Sequence, residues 1–320
     1  MGSVNNRGQS PFIDGFQLQD VTLDNGITLR VATGGSGPVL VMLHGHPQNH
    51  LCWHKVAPVL AQHYTVVLPD LRGYGDSDKP ASDAQHRPYS KRAMAQDIAL
   101  LMTTLGHHYF AFVGHDRGAR VGHRLALDYP DRVSACTFID IAPTATMYQR
   151  TDREFATRYF WWFFLIQPAP LPETLIGSNT EFFLRQHIRA QLKVADATPE
   201  AILNDYLRCY QHPAMVHAVC EDYRASATID LDDDAASEGQ RIRCPLLLLW
   251  GEQGTVGQLY DVLQTWADKA THVEGRALPC GHSPQEEVPS AFLSELQPFL
   301  TAAGQHRPAC ATALAAGVSR

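Results

Sequence analysis

The chain lacks any apolar stretch approaching the roughly twenty residues that a membrane-spanning helix needs. Its opening, Met1–Pro11, lacks the charged-then-apolar layout of a secretory leader and reads as unstructured. Cysteine is sparse: seven in 320 residues, scattered as Cys52, Cys136, Cys209, Cys220, Cys244, Cys280 and Cys310. The odd number and the absence of a CxxC pair exclude a disulfide framework and suit a reducing, cytoplasmic compartment. Positive charge is in deficit, with 26 Lys and Arg against 33 Asp and Glu, a net charge of −7. That excludes general affinity for nucleic acid or an anionic membrane, so an anionic ligand must be drawn by a local cluster of cations. The 16 histidines show no HExxH or Cys/His ligand spacing, so no metal site is expected. The acidic run Asp230–Asp234 lacks the Gly and closing Glu of a calcium loop and reads as a solvated connector. Internal repeats are absent too.

What is present is a globular composition, 45% hydrophobic and 18% charged, long enough for one large α/β domain with an insertion. The organising stretch is Tyr109–Tyr129. An apolar run like a buried strand breaks at Gly114-His115-Asp116-Arg117-Gly118 and resumes with helical spacing at Val121, Leu125 and Leu127. Strand, sharp turn and helix make the frame of a nucleophile elbow, with Asp116 where the familiar motif has Ser. Asp is also a favoured helix cap, the plainer use of such a residue. A carboxylate in that place needs no deprotonation at neutral pH and can attack saturated carbon, whereas serine needs a base and usually attacks acyl carbon.

Around the elbow the chain alternates strands and helices. Phe16–Arg30 reads as a hairpin about Asn25-Gly26, Pro38–Leu43 and Tyr64–Leu68 as strands, and Leu51–Ala61 and Ala93–Leu105 as helices. Val133–Ile141 and Pro245–Trp250 are further strands, Ala277–Pro279 ends the last one, and Ala291–Leu300 is a closing helix. This predicts a mostly parallel sheet flanked by helices, with ligands gathering at the carboxyl ends of its strands. From about Thr146 the pattern turns aromatic, Arg-rich and helical. The division expected is a core over 1–145 and 240–304, a helical cap over 146–239 and a disordered tail over 305–320.

An acid and a histidine should follow the elbow, each at a strand end. His282, in Pro279-Cys280-Gly281-His282-Ser283, sits where that histidine belongs. Glu252 and Asp140 are the alternatives for the acid; Asp140 is preferred because Glu252 lies too close to its strand end to curl back. Arg117 and Arg120, three apart at the start of a helix, project from one face beside Asp116. Two guanidinium groups there can grip a carboxylate and keep Asp116 ionised.

These residues carry a resemblance. His44-Gly45-His46-Pro47-Gln48, Asp70-Leu71-Arg72-Gly73-Tyr74-Gly75-Asp76-Ser77 and the elbow resemble the α/β-hydrolase superfamily. Arg117 and Arg120 beside Asp116, with Asp140-Ile141-Ala142-Pro143-Thr144, Gln167-Pro168-Ala169-Pro170-Leu171-Pro172-Glu173 and Cys220-Glu221-Asp222-Tyr223-Arg224-Ala225, narrow it to the haloacetate (fluoroacetate) dehalogenases. The resemblance implies an α/β-hydrolase fold with an inserted cap, and hydrolysis of a small anionic 2-halo carboxylate to a hydroxy acid and halide. Asp116 would form an ester that His282, oriented by Asp140, hydrolyses, with the backbone amides of His46 and Arg117 as oxyanion donors. No cofactor is needed, and pairing of chains through the cap is the family habit. Its halide donors are a His-Trp pair and a Tyr; here the pair reads Trp161-Trp162, and Tyr223 matches the Tyr. With Trp161 where a fluoride-binding histidine is expected, chloro- or bromoacetate should be favoured over fluoroacetate. His46 stands where relatives carry a bulky aromatic. The alternatives are an epoxide hydrolase, using cap tyrosines on a neutral epoxide, and a non-catalytic ligand-binding relative.

Overall fold

The computed structural model describes residues 2–305. Apolar runs with a β-branched bias form the middle of its sheet: β4 (Val39–Leu43), β5 (Thr65–Pro69), β6 (Phe110–His115), β7 (Val133–Ile139) and β8 (Leu246–Gly251). Nearly every residue in them is buried, as strands covered on both faces require. Before them come β1 (Ser3–Gln9), β2 (Phe16–Thr22) and β3 (Thr28–Gly34), and β9 (Val273–Leu278) closes the far edge. The spatial order is β1-β2-β3-β5-β4-β6-β7-β8-β9. The β1-β2, β2-β3 and β3-β5 pairs are antiparallel and all later pairs parallel. Strand order reverses about β4, so the loops after β4 and β6 diverge there and leave a crevice.

Three local expectations need correction, and the last strand proves longer than its legible end. Met1–Pro11 is not unstructured: Ser3–Gln9 pairs along β2 from Ser3 opposite Thr22 to Gln9 opposite Gln17. Every residue of that strand is exposed, so no burial pattern marked it; backbone bonding and an Arg7–Asp20 ion pair hold it. Asp230–Asp234 is not a loop but part of the helix Ile229–Ala236. Asp230 is buried there, accepting from the Lys91 amide at 2.8 Å and Ser226 Oγ at 3.1 Å, with the Lys91 ammonium 3.4 Å away. Leu51–Ala61 splits into a 3-10 turn, His50–Trp53, and the helix Ala57–Leu60, because Pro58 lacks an N–H and fits only a helix's first turn. The last strand begins at Val273, earlier than its legible end, since its half-exposed edge alternates polar with apolar residues.

Between β7 and β8 the described residues form helices and no strand, from Thr144–Gln149 to Ile229–Ala236. The tail expected beyond Gln305 lies outside the described residues. No helix among them is long and apolar enough to cross a membrane.

Candidate active site

Asp116, Asp140, His282 and His46 all follow carboxyl ends of the sheet's strands. Asp116 follows β6 directly and opens the helix Arg117–Asp128. Its backbone sits at φ 45°, ψ −114°, a region that costs a non-glycine residue about 1–3 kcal/mol and tends to occur at functional turns. Neighbouring glycines let the turn fit. A Cβ at Gly118 would meet the Leu43 and His44 carbonyl oxygens at 2.6 and 2.4 Å, and one at Gly45 would meet Asp116 Cβ at 2.5 Å. The backbone after β4 therefore lies against the Asp116 side chain, and the His46 amide donates to Asp116 Oδ2 at 3.1 Å.

His282 comes from the loop after β9. Its Nδ1 lies 2.5 Å from Asp140 Oδ2, while Asp140 Oδ1 accepts from the Gly251 amide at 3.0 Å. The imidazole is thus tied by one nitrogen to the end of β7, and Glu252 is exposed. Burial would push the Asp116 carboxyl up, but His282, Arg117 and Arg120 outweigh it and hold it well below the usual carboxylate range. Burial lowers the proton affinity of His282, but the Asp140 hydrogen bond, Asp140's charge and Asp116 raise it above the ordinary histidine value. Burial also raises Asp140, against the pull of His282.

The two arginines part company. Arg117, wholly buried, gives Nε and Nη2 to the Asp222 carboxylate at 2.8 and 2.9 Å, and Nη2 also reaches the Asp222 carbonyl and Ser226 Oγ. Asp222 in turn takes Tyr74 OH at 2.6 Å and the Lys91 ammonium. Most of Arg117 is therefore spent on joining the elbow helix to the helix Pro213–Ser226, and Nη1 alone is left buried without a partner. Arg120 bonds the Ala142 carbonyl at 3.0 Å, Thr144 Oγ1 at 2.9 Å and Met147 Sδ at 3.1 Å. Its Nε has no partner, and among the described residues no carboxylate lies within ion-pair distance. Arg120 is a buried cation without a counter-ion in contact, costly unless an anion joins it.

Aromatic rings roof the site. Arg117 lies 4.1 Å over the Tyr223 ring and Arg120 4.8 Å over Trp162. Tyr223 OH is 3.5 Å from His46 Nδ1, and His46 Nε2 is 2.8 Å from Tyr210 OH. Burial drives His46 down to about 3, so it is neutral. Trp161 stands one ring further out: it packs at 4.5 Å on His187, which packs at 4.5 Å on His46. No motif or spacing singles out His187. It comes from the helix Thr180–Gln191, is buried, and carries an unpartnered Nε2. Asp222 stood in a quoted motif without a role, since nothing in a sequence couples it to an arginine 105 positions away.

A cavity of about 420 Å³ leads to His282, lined also by Tyr159, Arg158 and Lys193. A larger one, about 600 Å³, lies at the opposite strand ends around Gly37, Phe110 and Leu300. Among the described residues no group of His, Cys, Asp and Glu is placed to hold a metal ion.

A family model described as alpha/beta hydrolase fold matches residues 38–289. A fluoroacetate dehalogenase from a Burkholderia species is 41% identical over 90% of this chain and 95% of its own length. A soluble epoxide hydrolase from Corynebacterium is 30% identical over 86% and 94% respectively. Among solved structures, a Salmonella enterica protein provisionally termed an acyltransferase superposes with TM-score 0.93 at 70% identity, over 93% of this chain and 99% of its own. Fold, family match and relatives agree: the chain belongs to the α/β-hydrolase superfamily and is a homologue of fluoroacetate dehalogenase.

Proposed function

We propose that the protein is a haloacetate dehalogenase working through an aspartyl ester. The observation that carries this reading is Arg120, a buried cation with no ion-pair partner among the described residues, beside a carboxylate held ionised on a nucleophile elbow. A substrate carboxylate supplies the missing anion, to Arg120 Nε and Arg117 Nη1. The α-carbon then faces Asp116, which attacks from behind the carbon–halogen bond; the carbon–oxygen bond forms as halide leaves with the electron pair. His282, held by Asp140, takes a proton from water, and the hydroxide adds to the ester carbonyl, where the His46 amide supports the oxyanion. Collapse returns Asp116 and releases the hydroxy acid, with one proton passing to solvent.

Trp162 and Tyr223, whose rings lie against Arg120 and Arg117, would receive the halide. With Trp161 set back behind His187, the product most dependent on hydrogen bonding is the least served, so chloro- and bromoacetate should turn over faster than fluoroacetate. An epoxide hydrolase would use Tyr223 and a second phenol on a neutral ring, which leaves Arg120 unmatched. Acyl transfer through Asp116 would pass through a mixed anhydride, a poor carrier in water.

The test is single turnover in ¹⁸O water followed by peptide mass analysis. Label should enter Asp116, and its absence ends the claim that Asp116 is the nucleophile. Halide release from the haloacetates, assayed beside styrene oxide hydrolysis, separates dehalogenase, epoxide hydrolase and a protein that does neither.

A further inference from the structure

A second buried polar cluster adjoins His282 and takes no part in the chemistry above. His115, the residue before Asp116, has Nε2 2.7 Å from the His282 carbonyl oxygen and Nδ1 3.0 Å from the Gln48 side-chain amide. The other end of that amide meets Glu286 Oε2 and lies 3.4 Å from Ser283 Oγ. Glu286 Oε1 accepts from Thr198 Oγ1 at 3.0 Å and Tyr206 OH at 3.3 Å. His115, Gln48, Tyr206 and Glu286 are all buried.

Hydrogen-bond rules fix where the protons sit. A carbonyl only accepts, so His115 Nε2 carries a hydrogen. A second hydrogen at Nδ1 would make His115 a cation, where burial, with His282 beside it, drives its proton affinity down to about 3. Neutral His115 therefore accepts at Nδ1, and the end of Gln48 facing it is the NH₂, since a half-turn of the amide exchanges nitrogen and oxygen. The Gln48 oxygen then faces Glu286 Oε2. Two oxygens in hydrogen-bond contact need a hydrogen between them, and the amide oxygen has none to give.

We propose that Glu286 is a protonated positioning residue: its carboxyl donates to Gln48, Gln48 to His115, and His115 to the His282 carbonyl, so that one buried proton keeps the general base in register. This rests on the reading of His282 as the base. Burial supports it by pushing Glu286 up to about 7, against the opposing Thr198 and Tyr206 hydrogen bonds, the Lys55 ammonium and Gln48. Beyond His115, the charged or titratable groups packed round Glu286 are Tyr206 from the helical insertion, His46, Lys55 and Cys52 from the segment after β4, and His282 itself.

The sign follows. The working form is protonated, so it is present below that value and lost as pH rises through it. His282 must be neutral for ester hydrolysis, and forming the ester removes the Asp116 charge that helps raise its proton affinity. The two requirements therefore overlap in the ester, where the base acts.

The experiment compares pH profiles of kcat and KM for chloroacetate in the wild type, Glu286→Gln and Glu286→Leu. The Gln amide copies the protonated acid, accepting from Thr198 and Tyr206 and donating to Gln48. Expected is kcat within about threefold of wild type without the alkaline fall near 7, whereas Leu loses about tenfold or more in kcat with KM little changed. A Gln variant as slow as Leu, or one keeping the wild-type alkaline limb, overturns the proposal. Infrared difference spectra need no substrate: a carboxylic-acid carbonyl band should vanish with a midpoint near 7 and be missing from the Gln variant. No such band at pH 6 also overturns it. If the wild type releases no halide from any haloacetate, the functional reading fails and the infrared result alone decides this one.

Discussion

Arg117 and Arg120 are the same residue type three positions apart, yet the structure gives them different work. Arg117 answers the Asp222 carboxylate, so removing it strands a buried anion already shared with Lys91. Arg117→Leu should cost about 3–5 kcal/mol of stability, read from urea unfolding, and much of its lost activity follows from that. Arg120 has no carboxylate in contact among the described residues to strand. Arg120→Leu should leave the unfolding midpoint near wild type, while kcat/KM for chloroacetate falls about tenfold to a hundredfold, the value of a charge-assisted bond. Equal losses of stability in both variants would remove the distinction.

His282 and Asp140 give the pH dependence at this scale. The folded proton affinity of His282 is raised, chiefly through Asp140, so neutral base is lost as pH falls through that raised value. The same shift stabilises the fold below the ordinary histidine value, and that contribution disappears as pH rises through the folded one. Asp140→Asn removes both the hydrogen bond and the charge. The acid limb of kcat should move to lower pH, with ester hydrolysis slowed by about two orders of magnitude or more, which rapid-quench detection of the ester would reveal.

Among elements, the loop carrying His282 depends on the insertion as much as on the sheet. The His282 amide donates to the Gln191 carbonyl at 3.1 Å. Glu287 takes the Gly281, Ser283, Lys193 and Val194 amides at 3.0, 2.9, 2.7 and 3.0 Å, so one carboxylate binds the His282 loop to the end of the helix Thr180–Gln191. Glu287→Ala leaves those donors without their shared acceptor and should cost at least about 3 kcal/mol by chemical denaturation. Side chains that pack on residues 190–194 should loosen with the loop, visible as faster amide exchange at Gly281 and Ser283. Strand periodicity and the elbow were readable because each is set by neighbours in sequence. The β1 strand was not, because a fully exposed edge strand has no apolar alternation to betray it.

For the whole molecule, a net charge of −7 would repel the proposed anionic substrate at long range. Arg158 and Lys193 line the cavity leading to His282, so attraction is local. Lys193→Gln should lower kcat/KM severalfold at low ionic strength, and the difference should fade near 0.5 M salt, where the screening length is only a few ångström. An effect independent of salt would place Lys193 in packing instead.

The sequence by itself determined the inner strands of the sheet, the elbow and the residues at its strand ends, because hydrophobic period, turn chemistry and strand-end position are local properties of a chain. Asp116, His282 and Asp140 could be singled out that way, and the structure brings them together at one end of the sheet. Only the tertiary structure decided what those residues face. It spent Arg117 on Asp222, left Arg120 without a contacting ion-pair partner among the described residues, set His187 between Trp161 and His46, and placed Glu286 behind Gln48. Each of those contacts joins positions dozens to more than a hundred residues apart. Their energies come from burial and charge compensation in three dimensions, for which no spacing along the chain is a guide.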